Sequence, residues 1–142
     1  TQDSIALERE LEYLKNYISL QTLRTEGSEK IRIEVNIEDS YHMHQIAPML
    51  LIPFVENAFK HGISLRQNSW IRINLETSEN KLTFDVSNSI HLRTSIDTEK
   101  DQSGVGLENV KQRLALLYPG KHNLSIHQNN TEFFIHLTIT LN

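Results

Sequence analysis

The chain has 142 residues, 38% hydrophobic and 23% charged, with 14 Lys and Arg against 18 Asp and Glu for a net charge of −4. That is the make-up of one ordinary globular domain with enough residues for a core, and it advertises no basic face for nucleic acid. The absence of cysteine rules out a disulfide framework and a thiolate metal site, and no apolar run reaches membrane-spanning length, so no membrane contact is expected of these residues.

From the N-terminus, Ser4 to Arg24 carry a helical pattern, with Leu7, Leu11, Leu14 and Ile18 at 4-3-4 spacing. The narrow stripe fits a helix docking on a partner helix as well as on its own domain. The chain opens at Thr1 without Met and enters this helix directly, which reads as a piece of something longer. After a break at Thr25-Glu26-Gly27-Ser28, Ile31, Ile33, Val35 and Ile37 alternate with period two and predict a strand. Pro48 opens an apolar helix expected to run to His61, with Gly62 as its C-terminal stop. Alternating strands are predicted over Trp70 to Glu76 and Leu82 to Asn88. The polar stretch Ser89 to Ser103 has no apolar period and reads as a loop. A helix from Leu107 to Tyr118 and strands around Leu124 to His127 and Phe133 to Leu141 complete the chain. Strands and helices intermingle with hairpins rather than in regular βαβ order, which predicts an α/β (α+β) two-layer sandwich on a mostly antiparallel sheet.

Two segments carry the chemistry. Val55-Glu56-Asn57-Ala58-Phe59-Lys60-His61-Gly62 puts a carboxylate, a carboxamide and a lysine near the end of one apolar helix. Ser103-Gly104-Val105-Gly106-Leu107 is a glycine turn leading into another. Mg²⁺ takes about six hard oxygens, mostly from water and phosphate, so one protein amide such as Asn57 suffices. Lys60, three residues on and on the same helix face, can act as a phosphate point charge. Gly104 and Gly106 allow close backbone approach to phosphate, where a helix dipole adds about 0.3–1 kcal/mol for an anion. No Gly-Lys-Ser/Thr follows, so this is not that kind of phosphate loop. Together the segments point to ATP with Mg²⁺.

Histidine chemistry is the competing reading, since the chain has seven His. His42 and His44 lack a third ligand at suitable spacing and are expected in a solvated turn. His91, His122, His127 and His136 share no motif, and no serine is framed by glycines as a nucleophile elbow.

The run from Ile46 through Pro48, Pro53, Glu56, Asn57, Lys60 and His61 to Gly62 closely resembles the asparagine box of bacterial sensor histidine kinases of the autolysin-sensor type. Gly104-Val105-Gly106-Leu107-Glu108-Asn109-Val110-Lys111-Gln112-Arg113-Leu114 resembles their second glycine box, and residues Leu7 to Ile18 resemble the helix linking their dimerisation region to the catalytic domain. The resemblance implies the Bergerat ATP-binding fold of gyrase, heat-shock chaperones and mismatch-repair ATPases. It divides the chain into a linker helix over 1–25 and an ATP-binding catalytic domain over 26–142. By residue, it implies Asn57 as Mg²⁺ ligand, Lys60 on phosphate, and His61 bordering the nucleotide. Gly104, Val105, Gly106 and Leu107 would lie around the phosphates, with residues 89–103 as an ATP lid. It also implies a homodimer, the protein's own phosphoacceptor region and a response regulator as partners, and the cytoplasmic side of a bacterial inner-membrane sensor.

Two departures from the family pattern carry consequences. The first glycine box of most relatives has an aspartate that accepts a hydrogen bond from the adenine amino group, and a glycine two residues on. Here Asn88 stands for the acid in Val86-Ser87-Asn88-Ser89-Ile90, and the glycine is missing. The amide oxygen can accept the same bond, weaker by about 1 kcal/mol for want of charge. Hydrolytic superfamily members carry a water-activating glutamate one turn before the magnesium asparagine, where this chain has Pro53. Glu56 lies about 100° around the helix from Asn57 and is a poorer candidate for a catalytic base. Transfer to an imidazole is therefore favoured over hydrolysis. No histidine here lies in a box resembling the family's phosphoacceptor segment, so the acceptor is expected upstream of Thr1. A second reading, motivated by Asn88 and Ser89, is a degenerate Bergerat module that binds nucleotide weakly and acts through a partner.

Overall fold

The computed structural model describes residues 4–39, 43–64, 66–91 and 103–141, with the backbone alone for 103–106. Its elements are β1 (Ile5–Ala6), α1 (Leu7–Arg24), β2 (Ile31–Glu38), β3 (Gln45–Ile46), α2 (Ile52–Gly62), β4 (Ser69–Ser78), β5 (Lys81–Ser89), α3 (Ser103–Leu117), β6 (His122–Gln128) and β7 (Glu132–Thr140). Five strands form one sheet in the order β2-β4-β5-β7-β6, and β1 and β3 form a separate antiparallel pair.

Within the large sheet only β2 and β4 run parallel, with Ile31 opposite Ser69. The link between them contains α2, as a parallel crossover requires. The other pairings are antiparallel, including the tight β4–β5 hairpin, where Ser78 pairs with Lys81. Among the described strands, β2 and β6 are the two edges. The two-layer α/β expectation holds.

Alternation makes one sheet face apolar. Ile71, Ile73 and Leu75 of β4, Leu82, Phe84 and Val86 of β5, and Ile135, Leu137 and Ile139 of β7 all point into one core. Helix α2 covers β4 and β5 with Phe54, Val55, Ala58 and Phe59, and Phe54 meets Phe84 edge-on with centroids 6.2 Å apart. The opposite face is polar: the Arg72 guanidinium lies 5.1 Å from the Trp70 ring centroid and bonds Glu34 of β2.

The boundaries of α1 and α2 differ from expectation in three places. Ser4 to Ala6 are not helical, because Ile5–Ala6 are drawn into pairing with Gln45–Ile46. Residues 48–51 form a turn instead of the start of α2. The helix begins at Ile52, with Pro53 in its first turn, where a missing N–H costs nothing. Gly62 is the last residue of that helix rather than a left-handed stop, since the chain leaves through extended Ile63. Left-handed glycines stand instead at Gly27, at φ +93 in the expected break after α1, and at Gly120, at φ +70.

The leucine stripe of α1 belongs to this domain. Leu7, Leu11, Leu14 and Ile18 are all buried in the same core as the sheet residues, so they cannot also serve as a seam for a partner helix. In α3, Leu107, Val110 and Leu114 are buried, and Leu117, the last residue of the helix, is 41% exposed.

Candidate functional site

Helix α2 delivers Asn57 among apolar neighbours. The residue is 8% exposed, and its Oδ1 has no hydrogen-bond partner among the described residues. A buried amide oxygen left unpaired costs about 1–3 kcal/mol, a cost that a ligand removes. Five residues on, the chain reaches Gly62, which packs directly against Asn88 at the end of β5.

Asn88 is 1% exposed. Its Nδ2 donates to the Ser89 carbonyl oxygen at 2.8 Å, which fixes the amide plane. Its Oδ1 is the second buried oxygen without a partner. Ser89, standing where sequence reading gave it no task, ties the site together: its hydroxyl donates to the Gly62 carbonyl at 3.0 Å and accepts the Trp70 N–H at 3.0 Å. The end of β5 is thereby fastened to the end of α2. Two unsatisfied acceptors, one on each element, are what a cation–oxygen contact and an amino donor would fill.

Not every expected residue joins them. Glu56 and Lys60 are exposed and line a groove of about 610 Å³ between α1 and α2, together with Tyr17, Gln21, Arg24 and Phe59. Burial, followed by the Glu56 carboxylate, pushes the Tyr17 phenol above its ordinary range. Glu56 thus works against Tyr17 and is not grouped with Asn57. His61 is half-buried beside Gly62. Gly104, Val105 and Gly106 lie in the first turn of α3, which starts at Ser103 and not at Leu107; the glycines are therefore helical backbone rather than a turn preceding the helix. Leu107 is buried beneath them. The lid expected over 89–103 falls mainly on residues 92–102, outside the described residues.

His44 is corrected from a solvated residue to a buried one, 6% exposed, because its Nε2 contacts the Glu79 carbonyl in the β4–β5 turn. His42 lies outside the described residues, among which no cluster of three His, Cys, Asp or Glu could hold a metal.

Glu10, Arg113 and Tyr118, which sequence reading passed over, hold the approach to α2. A signal for Glu10 was present: with Leu7, Leu11 and Leu14 it completes an i, i+3, i+4, i+7 face, so the helical period itself placed a carboxylate among leucines.

Comparisons with known proteins bear on the family and the fold. The profile described as GHKL domain matches residues 6–140. The sensor histidine kinase/phosphatase LytS of Staphylococcus aureus (strain MRSA252) is 30% identical over 132 residues, which cover 82% of this chain and 22% of the relative. The sensor protein LytS of Enterococcus faecalis (strain ATCC 700802 / V583) is 27% identical over 128 residues, covering 82% of this chain and 21% of the relative. The chain spans about a fifth of the length of these curated relatives. Among solved structures, the nucleotide-free catalytic domain of histidine kinase ThkA superposes with a TM-score of 0.61 at 15% identity, covering 96% of this chain and 94% of that one. ThkA in complex with response regulator protein TrrA gives 0.58 at 15% identity, covering 98% of this chain and 41% of that one. At such identities these two show the fold, that of a histidine kinase catalytic domain. The chain belongs to the GHKL domain family, the ATP-binding domain found in sensor histidine kinases.

Proposed function

We propose that these residues are the catalytic ATP-binding domain of a two-component sensor histidine kinase, which passes the γ-phosphoryl group of ATP to a histidine outside residues 1–142. The observation that carries the reading is the pair of buried acceptors, Asn57 Oδ1 and Asn88 Oδ1, on the two elements joined by Ser89. Asn57 Oδ1 would hold Mg²⁺ through one hard oxygen. The metal, when bound, neutralises charge developing on the phosphates.

The chain's own residues do the rest. Asn88 accepts the adenine amino group through Oδ1, while its bond to Ser89 keeps the donor end of the amide turned away. The N-terminal turn of α3, with Gly104 and Gly106, presents backbone N–H groups to the phosphates. Lys60, exposed on α2 three residues after Asn57, supplies positive charge near the phosphates. Pro53 can neither take a proton from water nor orient it, so bound ATP waits for an imidazole. Glu56, exposed and facing Tyr17, has at most an electrostatic part.

The partners are the protein's own dimerisation and phosphoacceptor region, in a homodimer, and a response regulator; ThkA, of the same fold, forms such a complex with TrrA. We place the domain on the cytoplasmic side of a bacterial inner-membrane sensor.

The test is phosphorylation in the intact protein. Labelled ATP should yield an acid-labile, base-stable adduct, as a phosphoramidate is, and residues 1–142 alone should hydrolyse ATP negligibly. Rapid hydrolysis by the isolated domain, or a base-labile adduct, would move the protein out of the histidine-kinase class. The neutral amide at Asn88 favours one competitor, a domain that binds nucleotide weakly and acts through a partner. Calorimetry showing no binding at millimolar ATP would select it.

A further inference from the structure

Residues 46–51 are gripped by two helices at once. From α1, the buried Glu10 carboxylate accepts three backbone N–H groups: Met49 on Oε1 at 3.0 Å, and Leu50 and Leu51 on Oε2 at 3.1 and 3.3 Å. From α3, Arg113 donates to the carbonyls of Met49 and Pro48 at 3.0 and 2.9 Å, and just past the end of α3 the Tyr118 hydroxyl accepts the Ala47 N–H at 3.0 Å. Met49 sits between the two grips at φ 59, a left-handed conformation rare for a side-chain-bearing residue. Such strain persists only where the surroundings over-determine it.

Leu51 is the N-cap of α2. It has no side-chain acceptor, and the first turn of α2 has no acidic residue. Glu10 therefore supplies from another helix the negative charge that this N-terminus lacks. From Leu51 to Asn57 is six residues of rigid helix, about 9 Å. Apolar contacts between α1 and α2 can slide by small steps, but a carboxylate holding three amides is either engaged or withdrawn. Withdrawal strands a buried charge, so the two positions are distinct. The start of α1 is bolted to the same segment, since Ile5 pairs with Ile46 and the Leu7 N–H bonds the His44 carbonyl at 2.8 Å.

We propose that Glu10 is a positioning residue for the nucleotide site: its carboxylate couples α1 to α2, so that the placement of α1 sets nucleotide affinity at Asn57, and bound nucleotide in turn holds α1. The inference rests on the nucleotide reading of the site given above. Reciprocity follows from linkage, because a coupling free energy acts equally in both directions.

The experiment uses residues 1–142 with Mg–ADP, by calorimetry and by amide hydrogen exchange. In the unaltered chain, ADP should slow exchange in α2 and also in α1 and at residues 49–51. Glu10→Gln, which puts an NH₂ group against those amides, should weaken ADP by at least about fivefold, the low end of typical coupling. At saturating ADP it should keep protection in α2 and lose it in α1. Glu12→Gln, on the exposed side of the same helix, should change neither. If ADP binds the unaltered chain without altering exchange in α1, the coupling is refuted, whether or not Glu10→Gln folds. A Glu10→Gln protein that is less stable yet binds ADP with unchanged affinity and unchanged protection of α1 would show a purely structural cap, and also refutes it. Absence of ADP binding by the unaltered chain is a separate result: it removes the nucleotide reading, and the coupling falls with it.

Discussion

Replacing Gly62 by alanine tests the contact on which the candidate site is built. A Cβ at this position would stand 2.8 Å from Asn88 Cβ, 3.1 Å from its Nδ2 and 3.2 Å from its Cγ. The nearest atom is a carbon attached to the main chain of β5, whose neighbours β4 and β7 pair with Asn88 through Ile71 and Phe133. No rotamer change relieves that approach, so helix or strand must shift. Overpacking of this kind costs about 1–3 kcal/mol. Alanine for glycine in a helix returns up to about 1 kcal/mol, and less at the final helical residue. The expected net loss is about 1–2 kcal/mol. Urea unfolding, followed by the fluorescence of Trp70, the single tryptophan, should show a midpoint lower by roughly 0.5–1 M. Because Asn88 must move, ADP affinity should fall as well. In an Asn88→Gly background the clashing carbon is gone, and Gly62→Ala should become neutral or stabilising, a coupling read directly from the double-mutant cycle. An unchanged or higher midpoint for Gly62→Ala alone, or the same loss in both backgrounds, would refute the close packing of α2 on β5.

Asn57→Ala should remove the Mg²⁺-dependent part of nucleotide affinity, tenfold or more, about 1.4 kcal/mol, and calorimetry with and without EDTA checks it. Asn88→Asp should destabilise the free domain by about 1–3 kcal/mol, because its second oxygen would face the Ser89 carbonyl that Nδ2 now bonds; a urea midpoint no lower than that of the parent would count against this. For Tyr17, whose phenol is pushed above the ordinary value of 10.0, the folded state holds its proton more tightly than the unfolded state. The stability this contributes is fully present below pH 10 and is lost as pH rises through the folded-state value, so Tyr17→Phe should flatten the alkaline fall in thermal midpoint.

Periodicity gave most of the architecture because the core is made of alternating strands and three helices with apolar faces, with β5, β7 and the buried stripe of α1 as the plainest cases. It could not say what the α1 stripe packs against, since a 4-3-4 spacing looks the same toward any apolar partner. The helix starts failed for local reasons. Pro48 is as good an opening signal as Pro53, and only the tertiary grip of Glu10 and Arg113 makes residues 48–51 a turn. Of the candidate site, Asn57 was legible from its side-chain chemistry in a motif, and Asn88 from the family resemblance alone. Gly62 against Asn88, and the two bonds of Ser89, were not, because they depend on where α2 ends relative to β5, a distance that no one-dimensional pattern contains. His44 was misjudged for the same reason: its partner, the Glu79 carbonyl, lies in a hairpin turn 35 residues away.

The open sheet has one further consequence, for self-association. Strand β2 pairs only with β4 among the described strands, which leaves a row of main-chain donors and acceptors along its outer side, a template on which a second chain could add. Its sequence, Ile-Arg-Ile-Glu-Val-Asn-Ile-Glu, is otherwise that of an aggregation-prone strand. Arg32, Glu34 and Glu38 interrupt it with one positive and two negative charges, while Val35 is its large exposed apolar side chain. Removing charge at Arg32 and Glu34 together should therefore leave the fold standing and make copies stack edge to edge.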